Sequence, residues 1–188
     1  MEAESGVEEG SEKQGQKSDG TAGRSSGRFL IRDLCLRDAS FIAANIRDQD
    51  LREIACLWKE WDTRALAACA LQTAVPGMVW SLWYDGQPAA AYGFSQASAF
   101  DPDHWQAWAF GTDRFRRCVP AITRHLLEIR EIVERDCRRL QVITLNDHDI
   151  AHGWIEALGA TREGRLKAYG RGGEDYYVYA WVRGDKRP

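Results

Sequence analysis

The chain has no apolar run approaching the roughly 20 residues that a membrane helix needs, so it is not expected to span a bilayer. Met1 is followed by acidic residues instead of a basic stretch and an apolar core, so no secretory signal is expected. Cysteine is sparse. The five stand at 35, 56, 69, 118 and 137, an odd number with no CxxC pair. That pattern excludes a disulfide framework and reads as reduced thiols in a cytoplasmic setting. Excess positive charge is missing as well. Twenty-five Lys and Arg face 28 Asp and Glu, for a net charge of −3, so a dedicated nucleic-acid binder is not expected. There is no G-x-S-x-G, no Walker run and no GxGxxG, which removes the serine-hydrolase elbow, the P-loop and the dinucleotide fingerprint. No segment recurs with a period of about 20–50 residues, so solenoids and propellers drop out.

What is present is an ordinary globular balance. The 188 residues fit one domain of about 100–200. Hydrophobic residues make up 44%, and eight Trp, six Tyr and six Phe can fill a sizeable core. Residues 1–28 differ, with six Gly, five Ser and four apolar residues. Such a stretch buries too little to offset its ordering entropy and reads as a disordered tail. Its six acids and four bases leave the rest close to neutral, so no basic domain hides behind it. The domain is expected over 29–184, with a short tail at 185–188.

Residues 29–35 read as a strand, and Asp38 as the cap of a helix carrying Phe41, Ile42 and Ile46. Asp48 or Asp50 can cap a second helix, and Asp62 opens a third, Ala-rich one stopped by Pro76-Gly77. Asp85-Gly86 joins two strand-like runs, 78–84 and 87–95, the strongest short-range hairpin signal. Along 104–112, Trp105, Ala107 and Ala109 alternate with Gln106, Trp108 and Phe110. A long helix over 118–137 carries the stripe Ile122, Leu126, Ile129 and Val133. A short strand at 140–145, a helix at 148–158 ended by Gly159, and strands at 162–169 and 175–183 complete the chain. Strand, helix and strand over 104–145 form a β-α-β unit, whose crossover makes those two strands parallel. The hairpins make the rest antiparallel. The class is therefore α+β, a mixed, mostly antiparallel sheet with a central β-α-β unit.

This order resembles the GNAT family of N-acetyltransferases over about 29–183. DASFIAANIRDQDLREI near the start, the GT-D turn after the fourth strand, and WIEALGA before the last hairpin are similar to a subgroup of tailed-phage and prophage proteins. That subgroup includes internal virion proteins with a GNAT-like fold. The resemblance implies an acyl-CoA N-acyltransferase fold, with acetyl-CoA or coenzyme A as cofactor and no metal. Its partner would be a small-molecule or protein amine, or else phage virion proteins, in the cytoplasm of a host or in a virion.

A strand feeding a helix leaves backbone N–H groups pointing at the crevice, and the helix dipole adds positive charge there, which suits a pyrophosphate. Here the segment is Phe110, Gly111, Thr112, Asp113, Arg114, Phe115, Arg116 and Arg117. The family's usual Gln/Arg-x-x-Gly-x-Gly/Ala run is absent. Only Gly111 remains, and Asp113 puts negative charge beside the phosphate position, which Arg114, Arg116 and Arg117 can offset. Otherwise Asp113 caps a turn and the arginines form a solvated face. The family's usual acid is a Tyr four residues before a Gly and seven after an Asn. Four before Gly159 stands Ile155, eleven before it His148, and Asn146 is displaced by two.

His104 opens the strand lining the expected cleft and can serve as base, or is a strand-edge histidine. His148 is the second catalytic candidate. His148-Asp149-Ile150-Ala151-His152 resembles the H-E-x-x-H zinc motif with Asp for Glu. With no third ligand and a shorter carboxylate, it reads as polar residues at a helix start, without metal. Three functions follow: an acetyl-CoA-dependent N-acyltransferase, a non-catalytic phage virion or assembly protein, or a coenzyme A sensor.

Overall fold

The computed structural model describes residues 24–26 and 28–184. Among these residues, eight strands form one sheet in the order β1-β2-β3-β4-β5-β6-β8-β7. They are β1 (Arg24–Ser26), β2 (Phe29–Asp33), β3 (Ala74–Tyr84), β4 (Gln87–Gln96), β5 (His104–Gly111), β6 (Arg139–Leu145), β7 (Thr161–Leu166) and β8 (Tyr176–Val182). Every neighbouring pair is antiparallel except β5 and β6, which are parallel. This is the α+β sheet with a central β-α-β unit expected above. Strand β1 falls within the stretch read as a tail; residues 1–23, 27 and 185–188 lie outside the described residues.

Among the described residues, six helices flank the sheet: α1 (Leu36–Ala44), α2 (Asp48–Ala55), α3 (Thr63–Gln72), α4 (Phe115–Glu128), α5 (Arg130–Asp136) and α6 (Asp149–Ala157). The period of two along the strands sorts side chains to two faces. Trp80, Leu82, Tyr92, Phe94 and Trp105 pack against Phe115, Cys118 and Ile122 of α4 and Val133 of α5. On the other face Phe110 and Ala91 pack against Ala39, Ile42 and Ala43 of α1 and Leu66, Ala67 and Ala70 of α3. The sheet is thus buried on both sides, as the aromatic-rich strands imply. Among the described residues no helix is long and apolar enough to cross a membrane.

Several local expectations change. The helix read over 118–137 begins at Phe115 and divides at Ile129 into α4 and α5. Its apolar stripe survives the division, since Ile122, Leu126, Ile129 and Val133 all pack on one cluster. Asp38 does not cap α1. It lies in the first turn, fully buried, and accepts hydrogen bonds from Ser81 Oγ and Trp83 Nε1, both at 2.8 Å. Helix and strand are pinned by a buried carboxylate that satisfies one buried and one half-buried donor. Asp62 does cap α3, accepting from Arg64 N–H at 2.8 Å. Pro76-Gly77 lies within an irregular stretch of β3, where the register with β4 shifts between Ala74 and Val79. The Asp85-Gly86 turn has positive φ at both residues, 48° and 76°, the hairpin geometry that this pair favours.

Gly153 sits exposed in the interior of α6, and a Cβ added there would meet nothing within 4 Å. Gly153→Ala is therefore expected to raise stability by about 0.5–1 kcal/mol, by restricting the unfolded chain without a clash. A urea titration measures this. A lowered midpoint would show that α6 needs the glycine.

Candidate active site

The site follows from a pairing that stops early. Strands β5 and β6 are hydrogen-bonded only through 104–106 and 139–141. Beyond Gln106 and Gln141 the strands splay, and a cavity of about 460 Å³ opens between them. It is lined by Ala107 and Ala109 of β5, Val142 and Thr144 of β6, and side chains of α2, α4 and α6.

Splaying strands leave backbone groups without a strand partner, and these need another. Helix α2 bridges the open end and supplies it. Asp50 Oδ2 accepts from Gly111 N–H at 2.8 Å, at the end of β5. Glu53 Oε1 accepts from Leu145 N–H at 3.3 Å, at the end of β6. The two carboxylates are three residues apart, so one helix face presents both. Arg47 N–H also donates to Gly111 O at 2.9 Å. Tyr176 O–H ties the far end of α2 down, donating to Glu53 O at 2.6 Å, and burial raises its hydroxyl well above the ordinary tyrosine value. On sequence, Asp50 is read as a helix cap and Glu53 carries no assignment.

Glu53 has a second task. Its Oε2 lies 2.5 Å from His148 Nδ1, and both residues line the cavity. A carboxylate only accepts, so Nδ1 carries a proton, and in the neutral ring Nε2 is the nitrogen that holds the lone pair. His148 is buried. His152 is committed elsewhere. Its Nε2 donates to Asn146 O at 3.1 Å and its Nδ1 accepts from Tyr179 O–H at 2.9 Å. The two histidines of the HDxxH run therefore serve different partners, and no cluster of three metal-ligating side chains occurs among the described residues.

Asp50 is buried beside Arg47, whose Nη2 donates to Asp50 Oδ1 at 2.7 Å. Burial raises the Asp50 carboxyl above its ordinary value, against the opposing pull of Arg47. The Arg47 guanidinium lies 4.1 Å over the Phe115 ring, on the first residue of α4. Two buried side-chain polar atoms lack a partner among the described residues, Arg47 Nε and Thr144 Oγ1, and both residues line this cavity.

The turn expected to hold a pyrophosphate is largely self-satisfied. Gly111 N–H goes to Asp50, and Thr112 N–H donates to Ala89 O at 2.9 Å. Arg114 N–H donates to Thr112 Oγ1 at 3.3 Å, and Phe115 N–H to Thr112 O at 2.8 Å. Phe110 is buried and stacks on Trp108 toward α1 and α3. The three arginines diverge. Arg114 Nη1 donates to Tyr84 O at 3.3 Å, Arg117 sits 5.8 Å over the Tyr84 ring, and Arg116 lines the cavity. Asp113 is exposed. Asn146 has an exposed side chain and lies outside the cavity wall; its N–H donates to Asp175 O. His104 stands at the closed end of the gap, bonded to Gln141 Oε1 at 3.0 Å. Seven residues of strand separate it from Gly111, about 23 Å. The structure therefore brings His148, Phe110 and Arg116 to the wall of one cavity, ties Gly111 to α2, and leaves His104 and Asn146 apart from that wall.

No known protein-family model matches the sequence, and no curated protein matches it. Solved structures do match in shape. The ribosomal-protein-S5-alanine acetyltransferase from Vibrio fischeri superposes with a TM-score of 0.61 at 13% identity, over 89% of this chain and 100% of that one. A GNAT-family acetyltransferase from Bacillus anthracis gives 0.61 at 14%, over 87% and 100%. The ribosomal-protein-S18-alanine N-acetyltransferase from Escherichia coli gives 0.59 at 17%, over 84% and 96%. The fold is that of the GNAT acetyltransferases.

Proposed function

We propose that this protein is an acyl-CoA-dependent N-acyltransferase whose reaction takes place in the gap between β5 and β6. The observation that carries the reading is the Glu53–His148 pair, set in the wall of a cavity that opens where the strands part. Bound acetyl-CoA supplies an acyl thioester, activated toward attack by an amine. The gap fits such a group, because Ala107 and Ala109 present small side chains there. Gly111 turns its N–H and C=O toward α2, on the gap edge of β5. Two-residue periodicity puts the backbone groups of Ala109 and Ala107 on the same edge. The Ala109 N–H is thus placed to donate to a carbonyl oxygen as negative charge develops on it. His148 Nε2 takes the proton of the attacking amine, and Glu53 stabilises the imidazolium that results. Arg116 is the cation placed to meet a phosphate at the cavity wall.

A second reading, a non-catalytic assembly or internal virion protein of phage type, is favoured by one observation. Amides of the turn between β5 and α4, those of Gly111, Thr112, Arg114 and Phe115, are already spent on protein acceptors. A thermal shift with acetyl-CoA distinguishes the two. Ligand at one hundred times its dissociation constant adds about 2.7 kcal/mol of stability. The enzyme reading expects that shift, together with acetyl transfer to an amine panel that drops at least a hundredfold in His148→Ala. No shift at several millimolar acetyl-CoA or coenzyme A would leave the assembly reading standing.

A further inference from the structure

The gap is walled by five residues with side-chain hydroxyls, and among the described residues four of these hydroxyls are already bonded. Thr73 Oγ1 donates to Cys69 O, and Ser95 Oγ to Gln106 O. Tyr92 O–H meets His125 Nδ1, and Tyr176 O–H donates to Glu53 O. Thr144 is the fifth. It is 2% exposed, and its Oγ1 has no partner. A buried hydroxyl without a partner costs stability, and a valine of the same shape would avoid that cost. Its position is informative. Leu140, Val142 and Thr144 alternate along β6, and Leu140 packs in the cluster with α4 and α5. Ala107 and Ala109 of β5 pack in that same cluster. Thr144 therefore faces Ala109 across the gap, on one side of the sheet. It also adjoins Leu145, whose amide Glu53 holds.

We propose that the Thr144 hydroxyl hydrogen-bonds the sulfur of the acyl thioester and stabilises the thiolate as it departs. The proposal rests on the acyltransferase reading above. As the amine nitrogen forms its bond to the carbonyl carbon, the carbon–sulfur bond breaks and sulfur leaves with the electron pair. The amine proton goes to His148 Nε2. Thr144 keeps its own proton and donates a hydrogen bond only, since an alkyl hydroxyl is too weak an acid to protonate a thiolate. This assigns a group to the leaving sulfur in a chain where Ile155, buried and apolar, stands at the position from which the family's usual Tyr would act.

The test uses the full chain, with Thr144→Val and Thr144→Ser as variants and coenzyme A and acetyl-CoA as probes. Unliganded Thr144→Val is expected to melt at or above the wild-type temperature. The thiol of bound coenzyme A, followed by the ultraviolet absorbance of its thiolate, is expected to ionise at higher pH in Thr144→Val than in wild type. Acetyl transfer is expected to fall roughly ten- to a hundredfold in kcat, the worth of one hydrogen bond to a charged group. An acetyl thioester of an acidic aryl thiol, whose thiolate needs little help, is expected to lose much less. Thr144→Ser is expected to keep wild-type values throughout. A lower melting temperature for unliganded Thr144→Val, or an unchanged thiol titration, overturns the assignment while leaving the acyltransferase reading intact. If wild type binds neither probe, the acyltransferase reading itself fails, and the assignment with it.

Discussion

Asp50→Ala is expected to lower the unfolding free energy by about 3–5 kcal/mol, the cost of stripping one partner from a buried ion pair. The Arg47 side chain is 16% exposed, and the variant would leave its guanidinium without the carboxylate that now holds it at 2.7 Å. The same substitution deprives Gly111 N–H of its acceptor, at a residue that is itself buried. Against a total stability of about 5–15 kcal/mol this loss is large, and chemical denaturation will read it directly. A loss under about 1 kcal/mol would show that α2 does not hold β5. Asp50→Asn separates shape from charge. Burial raises the Asp50 carboxyl in the folded protein, so folding favours its protonated form. The stability linked to that proton is fully present below the ordinary carboxylate range and is lost as pH rises through the elevated value. Asp50→Asn is expected to flatten that part of the stability–pH curve.

Gly93→Ala is the second large effect. Gly93 lies on β4 opposite Val79, where the irregular stretch of β3 presses close. A methyl group there would stand 2.7 Å from Val79 Cα and closer still to Met78 O. Both obstacles are backbone, which cannot rotate away as a side chain end can. The cost is expected at the upper end of overpacking, about 3 kcal/mol, with the strand shifted or the bulge rebuilt. Equilibrium unfolding in urea measures it, and Gly153→Ala in open space is the natural control. An effect of Gly93→Ala under about 1 kcal/mol would mean that β3 yields there. The site's own glycine behaves similarly. A Cβ on Gly111 would meet Phe115 Cδ2 at 2.5 Å and Ala89 O at 2.7 Å, so its smallness serves the packing of α4 on β4.

Much of the architecture was legible because local and global signals agreed. The alternation along 104–112 sorted Trp105 from Phe110 to opposite faces, as found. Asp-Gly set the hairpin, and Gly159, at φ 88°, ends α6. The site was less legible. Nothing local to β5 or β6 announces that their pairing stops after three residues, because register and splay depend on what packs between strands. Asp38 and Asp50 show the difficulty most plainly. A carboxylate near a helix start suits an N-cap and a long-range hydrogen bond equally, and spacing cannot choose between them. His148 is a candidate on sequence through its place before Gly159. Its partner Glu53 stands 95 residues away and has no sequence signal of its own.

The bridge made by α2 also carries information about time. Asp50 and Gly111 are 61 residues apart, and Glu53 and Leu145 are 92. Closing loops of that size delays contact formation relative to hairpins such as β3–β4. A nascent chain cannot seat α2 until β6 has been synthesised, so the cleft is completed after the sheet around β3 and β4. The same bonds make α2 a unit of partial opening, since its release frees the amides of Gly111 and Leu145 together. In native-state hydrogen exchange those two amides, on separate strands, would share one opening free energy lower than that of Leu82 or Tyr92, and Asp50→Ala would lower it for both.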